Sequence, residues 1–353
     1  MLCVACGRAS DPTPHHVTTP TAVGKPVRAP APDWLGLNYN SGAPTGDLTY
    51  FSRFGIVYDR LGNLAVNAGQ TVGDTPSLAR GLRTSTAAGM IPDVMVSPAR
   101  GQTGCSSDPN GSTLCLADSD ADVNGFVRGF VSTVMSVRHA FPHRRVIFEP
   151  MNEPWNWAPP PGMTSGVRAA QLYAAVLARL YPALKRAGVP LSLIYVPATG
   201  ELADLSYWIP DLYRTEPCLK PGPDTCGPIE GWNFHPYGPP NSTTSGIGQI
   251  PSLRTAMPSG ENNIVISEMG FCATDVPDSL CDENTPTVDG SSAQAARWMS
   301  EALQEGRAMH AAGWLRALII WQRVGGGWAM QLHDAQLTSQ GRALIDAART
   351  KTG

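Results

Sequence analysis

The sequence predicts an α/β protein, a single-domain (β/α)8 TIM barrel, and three observations carry that expectation. Short apolar runs alternate with stretches of helical period eight times between residue 33 and the C-terminus, the pattern of a parallel sheet wrapped by helices. No Gly-rich phosphate turn follows the first run, and Gly325-Gly326-Gly327 comes after the last one without dinucleotide spacing, which argues against an open nucleotide-binding sheet. Polar and aromatic residues collect where the apolar runs end, as they do at the functional face of such a barrel.

The candidate strands are 34–38, 55–61, 91–96, 146–151, 191–196, 231–235, 264–268 and 317–321. Helical patterns occupy 47–53, 77–89, 122–140, 167–187, 200–213, 251–257, 291–312 and 339–351. Val123, Phe126, Val127 and Phe130 recur at helical spacing, as do Leu172, Tyr173, Val176, Leu177 and Leu180. Residues 1–32 are rich in Pro, Thr and Ala and read as a flexible lead or the remnant of a signal region. No linker or internal repeat interrupts 33–353.

Charge excludes several partners. The chain of 353 residues holds 26 basic and 29 acidic side chains, a formal net charge of -3, and only 16% charged residues, against about 25% in an average domain. No basic stripe invites nucleic acid, and a polyanionic substrate has no cradle. No apolar run approaches the roughly 18 residues of a membrane span. An extracellular enzyme with a neutral ligand fits this composition; a monomer is expected, and no cofactor.

Cysteine spacing bears on the compartment. Of eight Cys, six form short-range pairs in loops rich in Gly, Pro and Asp: Cys105 with Cys115, Cys218 with Cys226, and Cys272 with Cys281. Read as staples, they imply an oxidising compartment and a secreted or cell-surface protein; reduced surface thiols are the second reading. Cys3 and Cys6 form a lone CxxC without a second pair, so no metal is expected there.

Two acidic residues stand where apolar strands open to their loops: Glu153 in Phe148-Glu-Pro-Met-Asn-Glu-Pro-Trp155, and Glu268 in Ile264-Val-Ile-Ser-Glu-Met-Gly-Phe271. Counting by twos, Glu149, Met151 and Glu153 share one face, and Ile264, Ile266 and Glu268 share another. If those faces point inward, Glu153 and Glu268 converge from strands four and seven. Carboxyls roughly 5–5.5 Å apart suit glycoside hydrolysis with retention of configuration, one protonated and one ionised. The aromatics after Glu153 favour a protonated acid there. Asn152 and Glu153 are consecutive yet both wanted in the site, so a bulge or strand end is expected between them.

In strand order the chain resembles the clan A glycoside hydrolases, the superfamily of the family 5 cellulases and family 39 glycosidases. Asn152-Glu153-Pro154, His235-Pro236-Tyr237, Ser267-Glu268-Met269-Gly270 and Trp321 carry the resemblance. It implies Glu153 as general acid/base and Glu268 as nucleophile. It further implies Asn152 on the sugar 2-hydroxyl, Arg60 as a cation keeping Glu268 ionised, His235 lining the subsite, Tyr237 bonding the nucleophile and Trp321 as the floor. Glu149 matches a carboxylate deeper in strand four and reads as the partner of a buried cation.

Each assignment has a plainer rival. Arg60 could be half of an ion pair with Asp59 or Glu149, His235 a core histidine, and Trp321 core filler. Trp155, Trp157, Trp232 and Trp328 are candidates for stacking on sugar rings, with Trp155 placed beside the acid. No HExxH and no GxSxG occurs, which disfavours a metallohydrolase or serine esterase. A transglycosylase using the same pair and a non-catalytic sugar-binding barrel are the rival functions. Sugar identity and endo or exo action are left open by the sequence.

Overall fold

Runs such as Ile264-Val-Ile-Ser and Leu315-Arg-Ala-Leu-Ile-Ile-Trp321 are apolar on both faces, as parallel strands covered by helices must be. A computed structural model describes residues 33–38, 45–66, 76–98, 120–154, 165–190, 193–197, 202–219, 231–242, 245–256, 263–275, 281, 289–321 and 337–349. Its strands are β1 (Leu35–Asn38), β2 (Tyr58–Val66), β3 (Ile91–Pro98), β4 (Ile147–Pro150), β5 (Val196–Pro197), β6 (Trp232–Phe234), β7 (Ile264–Met269), β8 (Cys272–Ala273), β9 (Asp289–Gly290) and β10 (Leu315–Trp321). The helices are α1 (Thr45–Ser52), α2 (Pro76–Ala87), α3 (Asp120–Ala140), α4 (Ser165–Arg186), α5 (Leu202–Thr215), α6 (Ile250–Ala256), α7 (Ser292–Ala311) and α8 (Ser339–Arg349). Every predicted helix is present within two residues at each end.

Eight strands form one parallel sheet in the order β4-β3-β2-β1-β10-β7-β6-β5. The sheet is curled. An isolated parallel bridge joins Phe148 of β4 to Ile194, just before β5, and the Tyr195 N–H donates to the Phe148 carbonyl at 3.0 Å. Tyr58, Ile147, Tyr195, Val265, Ala317 and Ile319 form a small cluster of their own. Because they come from strands on opposite sides of the order, they fill the inside of the curl. Gly36 belongs to that layer: a Cβ there would lie 2.6 Å from Tyr58 Cβ and 2.9 Å from Ile319 Cγ1. The larger core packs the outer sheet face against the helices, with Trp34, Phe126, Phe130, Phe148, Trp208 and Phe234 buried.

Helix ends set where strands begin. Ser291 caps α7 by accepting from the Gln294 N–H. At its other end Gly313 takes φ 78°, while the Gly313 and Trp314 N–H groups reach back to His310 and Met309 carbonyls. This Schellman closure turns the chain directly into β10.

Two expectations need correction here. The fifth strand was expected over 191–196, but among the described residues pairing as a strand covers Val196–Pro197, preceded by the bridge at Ile194; Pro190 and Pro197 lack the N–H that a longer ladder needs. Trp232 cannot stack on a sugar. It is fully buried on the helix side of β6, edge-on to Tyr213. The small β8–β9 pairing has no counterpart in the sequence reading. The Cys272–Cys281 disulfide is formed, with Cα atoms 5.6 Å apart, and Cys218 is disulfide-bonded as well. Cys3, Cys6, Cys105, Cys115 and Cys226 lie outside the described residues, as does the 1–32 lead. No described helix is long and apolar enough to cross a membrane.

Candidate active site

Inward positions near the carboxyl ends of the strands are polar. On β2, Tyr58 faces the interior cluster and Arg60 follows on the same side, fully buried. Asp59 points the other way, to Ser85 on α2. Arg60 sends Nε and Nη2 to Glu149 Oε2 at 3.1 and 2.8 Å, Nη2 also to Asn152 Oδ1 at 3.0 Å, and Nη1 to Glu268 Oε1. One guanidinium thus ties β2, β4 and β7 together, and Glu149 is the partner of a buried cation. Removing one member of such a buried pair costs about 3–5 kcal/mol. Burial is the largest influence and would raise the Glu149 carboxyl, but the Arg60 charge, hydrogen bonds from Asp93 and Arg60, and the His235 charge together hold the group below its ordinary value.

Asn152 and Glu153 reach the mouth because β4 ends at Pro150. Met151 and Glu153 both adopt left-handed backbone, φ 74° and 42°, costing roughly 1–2 kcal/mol each for non-glycine residues. This break from alternation lets Asn152 meet Arg60 while Glu153 turns to His235. Met151 itself is buried in the helix-side core, so it does not share the inward face with Glu149.

On β7 the inward set differs from the expected one. Val265 belongs to the interior cluster and Ser267 bonds His235, whereas Ile264 and Ile266 pack in the outer core. Glu268 nevertheless faces the mouth. Between the pairs Leu318–Ile266 and Ile320–Met269 the register slips by one, so β7 carries an extra residue over 267–268. The bulge turns both Ser267 and Glu268 inward. Asn233 on β6 accepts the Ser267 N–H at 3.0 Å and steadies that bulge.

Glu153, His235 and Glu268 converge, with one ligand-type atom from each within 4.8 Å of the others. His235 Nδ1 lies 2.8 Å from Glu153 Oε1 and 3.6 Å from Glu268 Oε2, and Nε2 lies 3.0 Å from Ser267 Oγ. Burial favours neutral imidazole, yet the Glu268 charge and the Glu153 bond prevail and raise the His235 pKa above its ordinary value. The Tyr237 hydroxyl donates to Glu268 Oε2 at 3.1 Å; burial, with the Glu268 and Glu153 charges, pushes that phenol well up. Glu268 is 12% exposed and Glu153 27%, so Glu153 is the more accessible of the two among the described residues.

Trp321 ends β10 two residues beyond inward-facing Ile319 and pairs in register with Asn38. Trp155, Trp157 and Trp328 lie outside the described residues. Three polar residues escaped the sequence reading: Asn38, whose Nδ2 approaches Glu268 Oε1 at 3.5 Å, and Asp93 and Asn233; Ser267 was read only as part of the strand-seven motif, without its contact to His235. Their signal was available, since each interrupts an otherwise apolar strand. Cys272, Cys281 and Asp289 also cluster, but the two sulfurs are spent on a disulfide and offer no thiolate to a metal.

No family model and no curated protein sequence matches the chain. Solved structures do. The chain shares the fold of family 5 glycoside hydrolases. A broad-specificity endoglucanase of that family from Bacteroides salanitronis superposes with TM-score 0.59 at 13% identity, covering 95% of this chain and 98% of that one. A family 5 enzyme from Prevotella bryantii gives 0.55 at 13%, covering 90% and 96%. A fungal β-1,4-galactanase gives 0.60 at 12%, covering 89% and 98%. At these identities the likeness is one of fold, and function must be argued from the side chains.

Proposed function

We propose that the chain is a retaining glycoside hydrolase that cleaves β-glycosidic bonds of a neutral oligo- or polysaccharide, on a closed (β/α)8 barrel spanning 33–353. The observation that carries this reading is the approach of Glu153 and Glu268 from β4 and β7 to within 4.8 Å. An inverting pair needs roughly 6.5–9.5 Å to admit water between the carboxyls, whereas direct attack needs roughly 5–5.5 Å.

Glu268, held by Arg60 and Tyr237, is the nucleophile. Its carboxylate attacks the anomeric carbon as Glu153 protonates the departing oxygen. A glycosyl-enzyme results, and Glu153 then takes a proton from water, which displaces Glu268. The His235 contact at 2.8 Å steadies Glu153 when it has given up its proton. Asn152, oriented by Arg60, is placed to hold the 2-hydroxyl, whose hydrogen bond strengthens in the transition state. Trp321 supplies an apolar floor for the ring, with Trp155 as a further stacking surface. The protein is secreted or cell-surface, a location favoured by the Cys272–Cys281 disulfide.

The test is the configuration of the first product. Proton NMR at early times on a screen of β-glycosides and glycans should show the β-anomer before mutarotation. An α-anomer appearing first overturns the mechanism. Glu268→Gln should abolish turnover with the fold intact by circular dichroism; near-native rates would remove Glu268 as nucleophile.

A further inference from the structure

Below the site, among the described residues, three buried carboxylate oxygens lack a hydrogen-bond donor: both oxygens of Asp93, and Oε1 of Glu149. Asp93 is 1% exposed and Glu149 0%. The remaining oxygen of Glu149 accepts both bonds from Arg60. Asp93 on β3 is the register partner of Arg60 on β2 and of Ile147 on β4. Ile147 and Glu149 both point inward, so the Asp93 and Glu149 carboxyls are neighbours on one face. Two carboxylates buried side by side cannot both be ionised. A single proton between them supplies the missing donor.

We propose that Asp93 is a positioning residue: it carries a proton, donates it in a hydrogen bond to Glu149 Oε1, and so fixes the carboxylate that aims Arg60 at Glu268. The inference rests on the reading of Glu268 as nucleophile. Charge balance explains why the proton matters. With Asp93 neutral, one guanidinium serves two anions, Glu149 below and Glu268 above. With Asp93 ionised, a third anion faces Arg60 and draws it down, away from Glu268. The titratable groups around Asp93 are Arg60 and Asp59 on β2, Glu149 on β4, and the phenols of Tyr58 and Tyr195 beneath; His235 acts on Glu149 from above. Burial drives the Asp93 carboxyl well above its usual range, and the Glu149 charge adds to that, more than Arg60 offsets.

Two measurements test the proposal on the full chain. In infrared difference spectra of wild type against Asp93→Asn at about pH 6–7, near the ordinary working range, wild type should show an extra protonated-carboxyl carbonyl band. Its absence means that Asp93 is ionised and overturns the proposal, whether or not any glycoside is hydrolysed. On a substrate that wild type cleaves, Asp93→Ala should lower kcat/KM at least about tenfold, the loss expected for a hydrogen bond to a charged group. Asp93→Asn keeps an N–H donor toward Glu149 and should recover most of that loss. An Asn variant as impaired as the Ala variant, with both folded, overturns the positioning role. Failure of every glycoside in the wild type would instead sink the hydrolase reading, and the infrared result would still decide where the proton sits.

Discussion

At the scale of single residues, the roles of the two carboxyls separate by their partners. Glu268 accepts bonds from Arg60 and Tyr237, while Glu153 meets an imidazole and is the more open of the pair. An acid contributes in proportion to the basicity of the leaving oxygen. Glu153→Gln should therefore depress kcat/KM on unactivated glycosides by about 100-fold or more, yet much less on aryl glycosides with acidic phenols; equal losses on both would argue against an acid role. Tyr237→Phe deletes one donor at 3.1 Å from the nucleophile. A bond to a charged group contributes about 1.5–3 kcal/mol, so kcat should fall roughly 10- to 100-fold. An unchanged kcat would show that this phenol does not assist Glu268. The sequence marks the places of Asn152, just past the end of β4, and of Trp321, the last residue of β10. Asp93 inside β3 and Asn38 at the end of β1 show in the sequence as polar interruptions, but what they meet could not be read before the facing strands were known to bring Arg60 and Glu268 to them.

At the scale of elements, helices were legible nearly to the residue because their period is long and their ends are marked by capping residues and glycines. Strand faces were less so. On β7 a strict count by twos places Glu268 with Ile264 and Ile266; the extra residue at 267–268 reverses that, and nothing in the apolar run of β7 announces it, whereas adjacent Asn152 and Glu153 had pointed to the break after β4. On β4 the left-handed Met151 does the same, in a residue type that rarely adopts it. The β2–α2 contact supplies a prediction of another kind. Ser85 has one hydroxyl proton and two acceptors beside it, Asp59 Oδ2 and the Gly81 carbonyl. A protonated Asp59 resolves the shortage, and burial, only partly offset by Ser85, pushes its pKa up to about 7. An unfolded aspartate titrates near about 3.9, so folding favours the neutral form. The resulting stability is fully present below about pH 4 and is lost as pH rises through about 7, at most roughly 4 kcal/mol in all. Asp59→Asn should narrow the difference in urea midpoint between about pH 5 and pH 8, chiefly by raising the midpoint at the higher value. If the difference is the same in variant and wild type, Asp59 is ionised in the folded chain.

At the scale of the whole molecule, charge is concentrated where it is used. The chain carries a net charge of -3 with only 16% charged residues. Its buried charges, Arg60 with Glu149 and Glu268, pair with one another across the curl of the sheet. Such internal pairs project little field into solvent. Exposed pairs such as Arg179–Asp120 and Arg297–Glu301 cancel locally. Encounter with substrate should then owe almost nothing to long-range attraction, in contrast to an enzyme that steers a polyanion with a basic cleft. This bears on the substrate class that side-chain geometry alone leaves broad. For a neutral glycan, kcat/KM should change by less than about twofold between roughly 0.02 and 0.5 M salt, a range over which screening shortens from about 20 Å to a few Å. For a sulfated or uronate-rich glycan the net negative charge, with no basic cleft among the described residues to offset it, would oppose binding, and added salt would accelerate the reaction. Initial rates on a neutral glycan and on an acidic one, each across that salt series, distinguish the two cases. A faster reaction on the acidic polymer at low salt would place a cationic surface near the site and overturn the neutral-substrate assignment.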